Sequence, residues 1–311
     1  MSTGKVIAIS IGDLNGIGIE IALAAHDEIC KIAKPIYCIS EKMLESACEK
    51  LGIQRPKGML LCPIKGEFTI RPGEISKKSG LYSYDSFKKS IQLCEKKIAD
   101  AVVTLPIHKE AWSKAGIGYK GHTDMLRDYF NQDAIMMLGC KKLYVALFTE
   151  HIPLKQVAKG IKTRKLTNFL LELSKDLKTD KIAVLGLNPH AGDGGVLGNE
   201  EKQISQAIKK ANKHLGKELF EGPMVPDTAF TKTMRKKYQH YVAMYHDQGL
   251  IPLKALYFDE SINISLNLPI IRTSVDHGTA FDISYKDRKP SRKSYLNAVE
   301  AALKQIKSVN S

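Results

Sequence analysis

Five histidines, His122, His151, His190, His246 and His277, stand in segments where Gly, Pro or Asp lies close by. Imidazole carries protons near neutral pH and binds divalent metals. A single loop histidine is ordinarily a satisfied surface group. Five at candidate strand ends shift the balance toward function, although spacing alone does not bring them together. His151, His190 and His246 suit a metal best, because each closely follows an apolar run and they lie far apart in sequence. Three protein ligands with one open position describe a catalytic rather than a closed structural site. The chain contains no HExxH, so zincin-type proteolysis is not supported. His26, His214 and His240 sit in charged, helical surroundings and are expected at the surface. His108 follows AVVTLP and is left open.

Cationic and polar groups form a second set: Lys254 after HDQGLIPLK, Asn263 in SINISLNLP, and Arg272 in LPIIRTS. An arginine offers a planar fork for phosphate or carboxylate, a lysine a point charge. Ordinary surface pairing is the alternative, but the apolar flank of Arg272 argues against a freely solvated face. Two glycine-rich stretches each open a helix. GDLNGIGIE lacks the GxGxxG spacing of a dinucleotide loop. It reads either as a close turn or as a phosphate cradle. In AGDGGVLGNEE, Gly194 and Gly195 either bind an anion through backbone N–H groups or allow positive φ beside a site. SVDHGTAFDIS (274–284) groups acid, imidazole, hydroxyl and small residues as a binding loop.

These groups need a scaffold. Apolar, β-branched runs at 5–11, 35–40, 101–106, 143–149, 181–187, 241–245 and 262–268 predict strands. Helices are predicted over 18–33, 41–51, 84–98, 163–176, 200–215, 228–237 and 294–308. Such alternation predicts an α/β fold with a mostly parallel sheet covered on both faces. The polar motifs fall at the C-terminal ends of the strands, where open α/β sheets bind ligands. With 311 residues and 43% hydrophobic side chains, two domains or one large unit are expected. The formal charge of +14 is dispersed as single lysines and short pairs, which read as solvated helix faces that also gather an anionic substrate. Nucleic-acid binding is not expected. The six cysteines form no CxxC pair and are expected reduced and mostly buried. The absence of a long apolar run and of a signal-like N-terminus predicts a cytoplasmic protein without a membrane partner.

Taken together, GDLNGIGIE, TLPIHK, GHTDML, NPHAGDGGVLGNEE, GPMVPDTAF, YHDQGLIPLK and LPIIRTSVDHGTAFDI resemble the 4-hydroxythreonine-4-phosphate dehydrogenases of pyridoxal phosphate biosynthesis, the PdxA family. Dehydrogenases of phospho-threonate and phospho-erythronate share much of the pattern. Two family prolines are replaced by Leu14 and Ile19, and Asp193 stands where the family commonly has Glu. The resemblance implies two α/β/α domains with a cleft between them, similar to the isocitrate and isopropylmalate dehydrogenase fold. The expected division is 1–125 plus 278–311, and 126–277, with metal ligands and dimer interface in the second domain.

It further implies a zinc, magnesium or cobalt ion on His151, His190 and His246, with His246 contributed by the neighbouring subunit of a homodimer. Substrate-binding positions are His122, Thr123, Lys254, Asn263 and Arg272. Asp247 and Lys254 are the catalytic candidates. NAD or NADP is expected near His277, Gly278, Thr279, Ala280 and Asp282, with Gly194 and Gly195 also approached. The implied reaction oxidises 4-phosphohydroxy-L-threonine, and the 3-oxo acid loses carbon dioxide. A sister dehydrogenase, or a binding protein that has lost turnover, are the rival readings.

Overall fold

The computed structural model describes residues 4–309. Its strands are β1 (Val6–Ser10), β2 (Lys34–Cys38), β3 (Leu60–Leu61), β4 (Ala101–Thr104), β5 (Ile135–Cys140), β6 (Leu143–Leu147), β7 (Ile182–Leu185), β8 (Phe220–Met224), β9 (His240–Ala243), β10 (Ile262–Leu266) and β11 (Arg272–Val275). The helices are α1 (Gly18–Cys30), α2 (Glu41–Leu51), α3 (Lys77–Glu95), α4 (Lys109–Lys114), α5 (His122–Phe130), α6 (Leu154–Gly160), α7 (Thr163–Asp176), α8 (Glu200–Leu215), α9 (Lys232–Lys237), α10 (His246–Tyr257) and α11 (Lys293–Val309). Two compact units result. Among the described residues, the first comprises 4–132, 262–264 and 268–309; the second comprises 133–261 and 265–267.

In the first unit the strands run β3-β2-β1-β4-β11, every neighbour parallel. β1 and β4 are almost wholly buried because helices cover the sheet, which is why they read as continuous apolar runs. Phe87 and Ile91 of α3, Val102 of β4, Trp112 of α4 and Met125 and Leu126 of α5 form one core cluster. Each such side chain contributes about 1.5–3 kcal/mol on burial. Gly80 lets α3 and α4 touch, since a Cβ there would meet the Ala111 carbonyl.

In the second unit the order is β5-β6-β9-β7-β8. All pairs are parallel except the β5–β6 hairpin. Its core joins Leu143, Val145 and Leu147 to Ala183, Leu185, Tyr241, Ala243, Leu250 and Leu253. α10 lies flat on the sheet because residue 249 is glycine. A Cβ there would stand 2.5 Å from Val145 Cγ1 and 2.9 Å from the Ala243 Cβ.

Several expectations are corrected. β3, β5, β8 and β11 were not among the predicted strands, nor α4, α5, α6 and α10 among the predicted helices. The division between units falls at Gln132/Asp133, and residues 268–277 join the first unit, because β11 pairs with β4. His26 and His240 are buried, not at the surface. His26 hydrogen-bonds with the Tyr37 hydroxyl (3.0 Å) and the Lys57 carbonyl (3.1 Å). His240 lies in β9 and stacks on Tyr144. His214 is exposed as expected.

Candidate active site

The first unit encloses its polar groups. β1, β4 and β11 end side by side, and the loops beyond them are tied together. Gly12, at φ +73°, turns the chain against the Pro106 carbonyl, which also accepts the Asp13 N–H at 2.9 Å. Ile17 N–H donates to the Thr279 carbonyl at 3.0 Å, and a Cβ on Gly16 would stand 2.7 Å from that same oxygen. GDLNGIGIE therefore seats protein backbone at Gly12 and Gly16.

Arg272 opens β11 at 2% exposure, and its Nη2 donates to the Thr104 hydroxyl at 2.7 Å. Burial lowers its pKa to about 9, still charged at neutral pH. His122 begins α5, its ring set edge-on against Phe87 at 4.6 Å and Trp112 at 5.8 Å. Burial, then Arg272, then Lys109, hold this imidazole well below its ordinary pKa, so it is neutral at pH 7. His122 Nε2 and Asn263 Oδ1 are shut off from solvent with no hydrogen-bond partner among the described residues. Native proteins rarely leave such atoms unsatisfied, and ligand sites are one reason they do. Thr123 is also buried.

Asp13 is fully buried. Its carboxylate accepts the Asn15 N–H (3.0 Å) and the Ser79 hydroxyl (3.1 Å). Burial raises its pKa to about 6 against the pull of those two donors. In the 276–282 loop, Ala280 has φ +44°, His277 Nδ1 lies 3.1 Å from the Gly278 carbonyl, and Gly278 faces open space. Asp282 is exposed. An exposed carboxylate with an open glycine turn fits the hydroxyls and flat rings of a nucleotide. His108 stacks on Phe281 of this loop at 4.8 Å.

The second unit presents its groups outward. β6 and β9 are parallel neighbours and end together, and the Thr149 hydroxyl donates to the Met244 carbonyl at 2.6 Å. This places the His151 and His246 rings 5.5 Å apart. The HDQG segment divides the work. Asp247 Oδ1 lies 2.7 Å from His246 Nδ1, which leaves Nε2 as the outward nitrogen. Gln248 accepts the Met244 N–H and donates to the Gly186 carbonyl, both at 2.7 Å, joining the ends of β9 and β7. Gly249 seats the helix. Lys254 lies in the last turn of α10, with Nζ 5.3 Å from the Phe258 ring centroid.

His190 belongs to a 3-10 segment, Pro189–Gly195, in which residues 190–194 all have positive φ. Glu201 holds this loop. Its carboxylate accepts the N–H groups of Leu187 (2.8 Å) and Asn188 (2.7 Å) and the Asn188 side-chain amide (2.9 Å). Against the upward pull of burial, these donors keep its carboxyl below the ordinary range. The sequence does not announce this anchoring role, because the burial of Glu201 and its partners are set by the fold. A cavity of about 400 Å³ lies here, lined by Ala191, Gly194, Gly195, Lys202, Ser205 and Pro223 among others.

His151 and His246 thus supply two imidazoles that fit a divalent ion in part. His190 does not join them: among the described residues no three His, Cys, Asp or Glu side chains converge to hold a metal. His246, expected from a neighbouring subunit, lies beside His151 of its own chain.

Residues 31–302 match the family model described as pyridoxal phosphate biosynthetic protein PdxA. The chain is 60% identical over 297 residues to a protein of Sulfurimonas denitrificans named 4-hydroxythreonine-4-phosphate dehydrogenase, covering 96% of each. It is 54% identical to a protein of that name from Campylobacter fetus, covering 96% of this chain and 97% of the other. The crystal structure of a 4-hydroxythreonine-4-phosphate dehydrogenase from Klebsiella pneumoniae aligns at TM-score 0.85 and 31% identity, covering 98% of this chain and 99% of that one. A β-decarboxylating dehydrogenase from Thermococcus kodakarensis, 13% identical, shares the fold at TM-score 0.52, covering 98% and 84%.

Proposed function

The chain belongs to the pyridoxal phosphate biosynthetic protein PdxA family, and from that premise we propose that it oxidises 4-phosphohydroxy-L-threonine with NAD or NADP to 2-amino-3-oxo-4-phosphooxybutanoate, which decarboxylates to 3-amino-2-oxopropyl phosphate. The observation that carries this reading is a buried arginine beside a neutral, enclosed histidine: Arg272 with His122. A planar guanidinium in a low-dielectric site suits a phosphate or carboxylate, and binding energy gathered there orients the reacting carbon.

His122 Nε2 and Asn263 Oδ1 offer unsatisfied polar atoms to the same substrate. Thr123 adds a hydroxyl and Lys254 a point charge for the second anionic group. Asp247 holds His246 through Oδ1; its Oδ2 receives the substrate hydroxyl proton. His277, Gly278, Thr279, Ala280 and Asp282 would hold a nicotinamide cofactor, approached by Gly194 and Gly195, and it would supply the hydride acceptor. His151, His190 and His246, with one of the three contributed by a second copy of the chain, would hold a divalent ion, which would supply Lewis acidity at the hydroxyl.

The test is reduced-cofactor absorbance with metal-stripped protein, 4-phosphohydroxy-L-threonine, and NAD or NADP, with and without zinc, magnesium or cobalt. Metal-dependent turnover is expected. Turnover only with phospho-threonate or phospho-erythronate would reassign the substrate, and no turnover with any of them would overturn the reading.

A further inference from the structure

Away from these groups, three thiols gather beneath one edge of the first unit's sheet. Cys38 ends β2 and is fully buried, Cys62 follows the two-residue strand β3, and Cys94 lies in the last turn of α3. Ile36 pairs with Leu60 and Tyr37 with Leu61, and the Cys62 N–H donates to the Tyr37 carbonyl at 2.8 Å. The next pair in that register is Cys38 and Cys62. Both pack into one cluster with Ala8, Leu93 and Ala99, so they share a face of the sheet. The two thiols lie close enough to shift each other's acidity, with Lys89 of α3 close by. Adjacent strands stand about 4.8 Å apart, inside the roughly 4.4–6.8 Å Cα spacing of disulfides. β3 is a short edge strand, so little pairing resists the small closure a bond requires.

We propose that Cys62 and Cys38 are a peroxide-sensitive dithiol that oxidises to a reversible disulfide between β2 and β3. The Cys62 thiolate attacks a peroxide oxygen. A sulfur–oxygen bond forms, the oxygen–oxygen bond breaks, the sulfur becomes a sulfenic acid, and the departing hydroxide takes from solvent the proton that the Cys62 thiol had released, leaving as water. Cys38 Sγ then attacks that sulfur. The sulfur–sulfur bond forms, and hydroxide leaves with the Cys38 proton as a second water.

The acidities suit these roles. The neighbouring Cys38 brings the Cys62 thiol down to about 6, with burial opposing and Lys89 assisting. Cys62 in turn, with burial, holds Cys38 well above its ordinary value. Cys94 is pushed up to about 12 by burial, Asp100 and Glu95. Partial exposure lets peroxide reach Cys62, while Cys38 is enclosed.

The test uses the full folded chain, exposed to hydrogen peroxide, blocked with iodoacetamide, digested and mapped by mass spectrometry. One linked peptide pair carrying Cys38 and Cys62 is expected, released by dithiothreitol, absent in Cys62→Ser and retained in Cys94→Ser. A second measurement needs no variant: before oxidation at pH 7, iodoacetamide should label Cys62 at least about tenfold faster than Cys94. Linkage through Cys30 or Cys94 instead, irreversible oxidation of Cys62 with Cys38 still alkylatable, no peroxide-dependent change, or equal labelling rates would overturn the proposal.

Discussion

In the first unit the polar groups at the strand ends are walled in; in the second they stand toward solvent. Arg272, Asp13 and Thr123 are buried, and His122 Nε2 is enclosed. His151 and His190 are exposed, and the Asp247 side chain is 69% exposed. Enclosure fixes protonation: it neutralises His122 and raises Asp13. In the exposed unit, direct contacts such as Asp247 on His246 orient the side chains. A buried site carries specificity in its desolvation, because a wrong ligand leaves polar atoms unpaired. An outward site exchanges ligands readily and depends on what docks there.

The contrast is sharpest at Arg272. Arg272→Met should lower kcat/KM by about 100-fold or more, since removing a buried charged partner costs on the order of 3 kcal/mol. Arg272→Lys should restore only part of it. If Arg272→Met left KM unchanged, the arginine would be a structural pillar and not a ligand group.

Asp13 tests burial through pH. Its folded pKa is raised from 3.8 to about 6, so its stabilising contribution is complete below about pH 4 and is lost as pH rises through about 6. Denaturant midpoints of the native chain, set against Asp13→Asn, should therefore fall between about pH 4 and 7, by on the order of 3 kcal/mol at about 1.4 kcal/mol per pKa unit. A flat difference would mean that water reaches the carboxylate.

In the second unit, Asp247→Asn should weaken zinc or cobalt binding by roughly 10–100-fold while leaving the thermal midpoint nearly unchanged. Isothermal titration and calorimetry separate the two effects. Unaltered affinity would remove Asp247 from the orientation of His246. The smallest effect belongs to Gly194, at φ +66° with open space around it. Gly194→Ala should cost about 1 kcal/mol in urea unfolding, and a neutral result would show the left-handed run to be pliable.

Much of the scaffold was legible because buried parallel strands are continuous apolar runs: KVIAISI, AVVTLP and KIAVLGL all form strands within their predicted spans. AIMMLGC was missed because its hairpin turns on Lys141 and Lys142, without the Gly or Asn that marks a tight turn. α10 was missed because Pro252 lies inside it and its apolar residues follow no clean helical period. The cationic site was partly readable, since the apolar flank of Arg272 announced its burial. Asp13 and Glu201 were not readable as anchors, because their partners Ser79 and Leu187 are defined only by folding. The meeting of His151 with His246 likewise depends on strand order, which periodicity does not encode.

Trp112 is the chain's single tryptophan, fully buried, with its indole N–H on the Ser83 hydroxyl and its ring beside His122. The protein therefore carries a built-in optical gauge of its first unit. A neutral imidazole quenches indole emission weakly, and an imidazolium quenches it strongly. Burial first, and the charge of Arg272 second, keep His122 unprotonated, so any change in the surroundings of this ring would be transcribed into light without label or coupled enzyme.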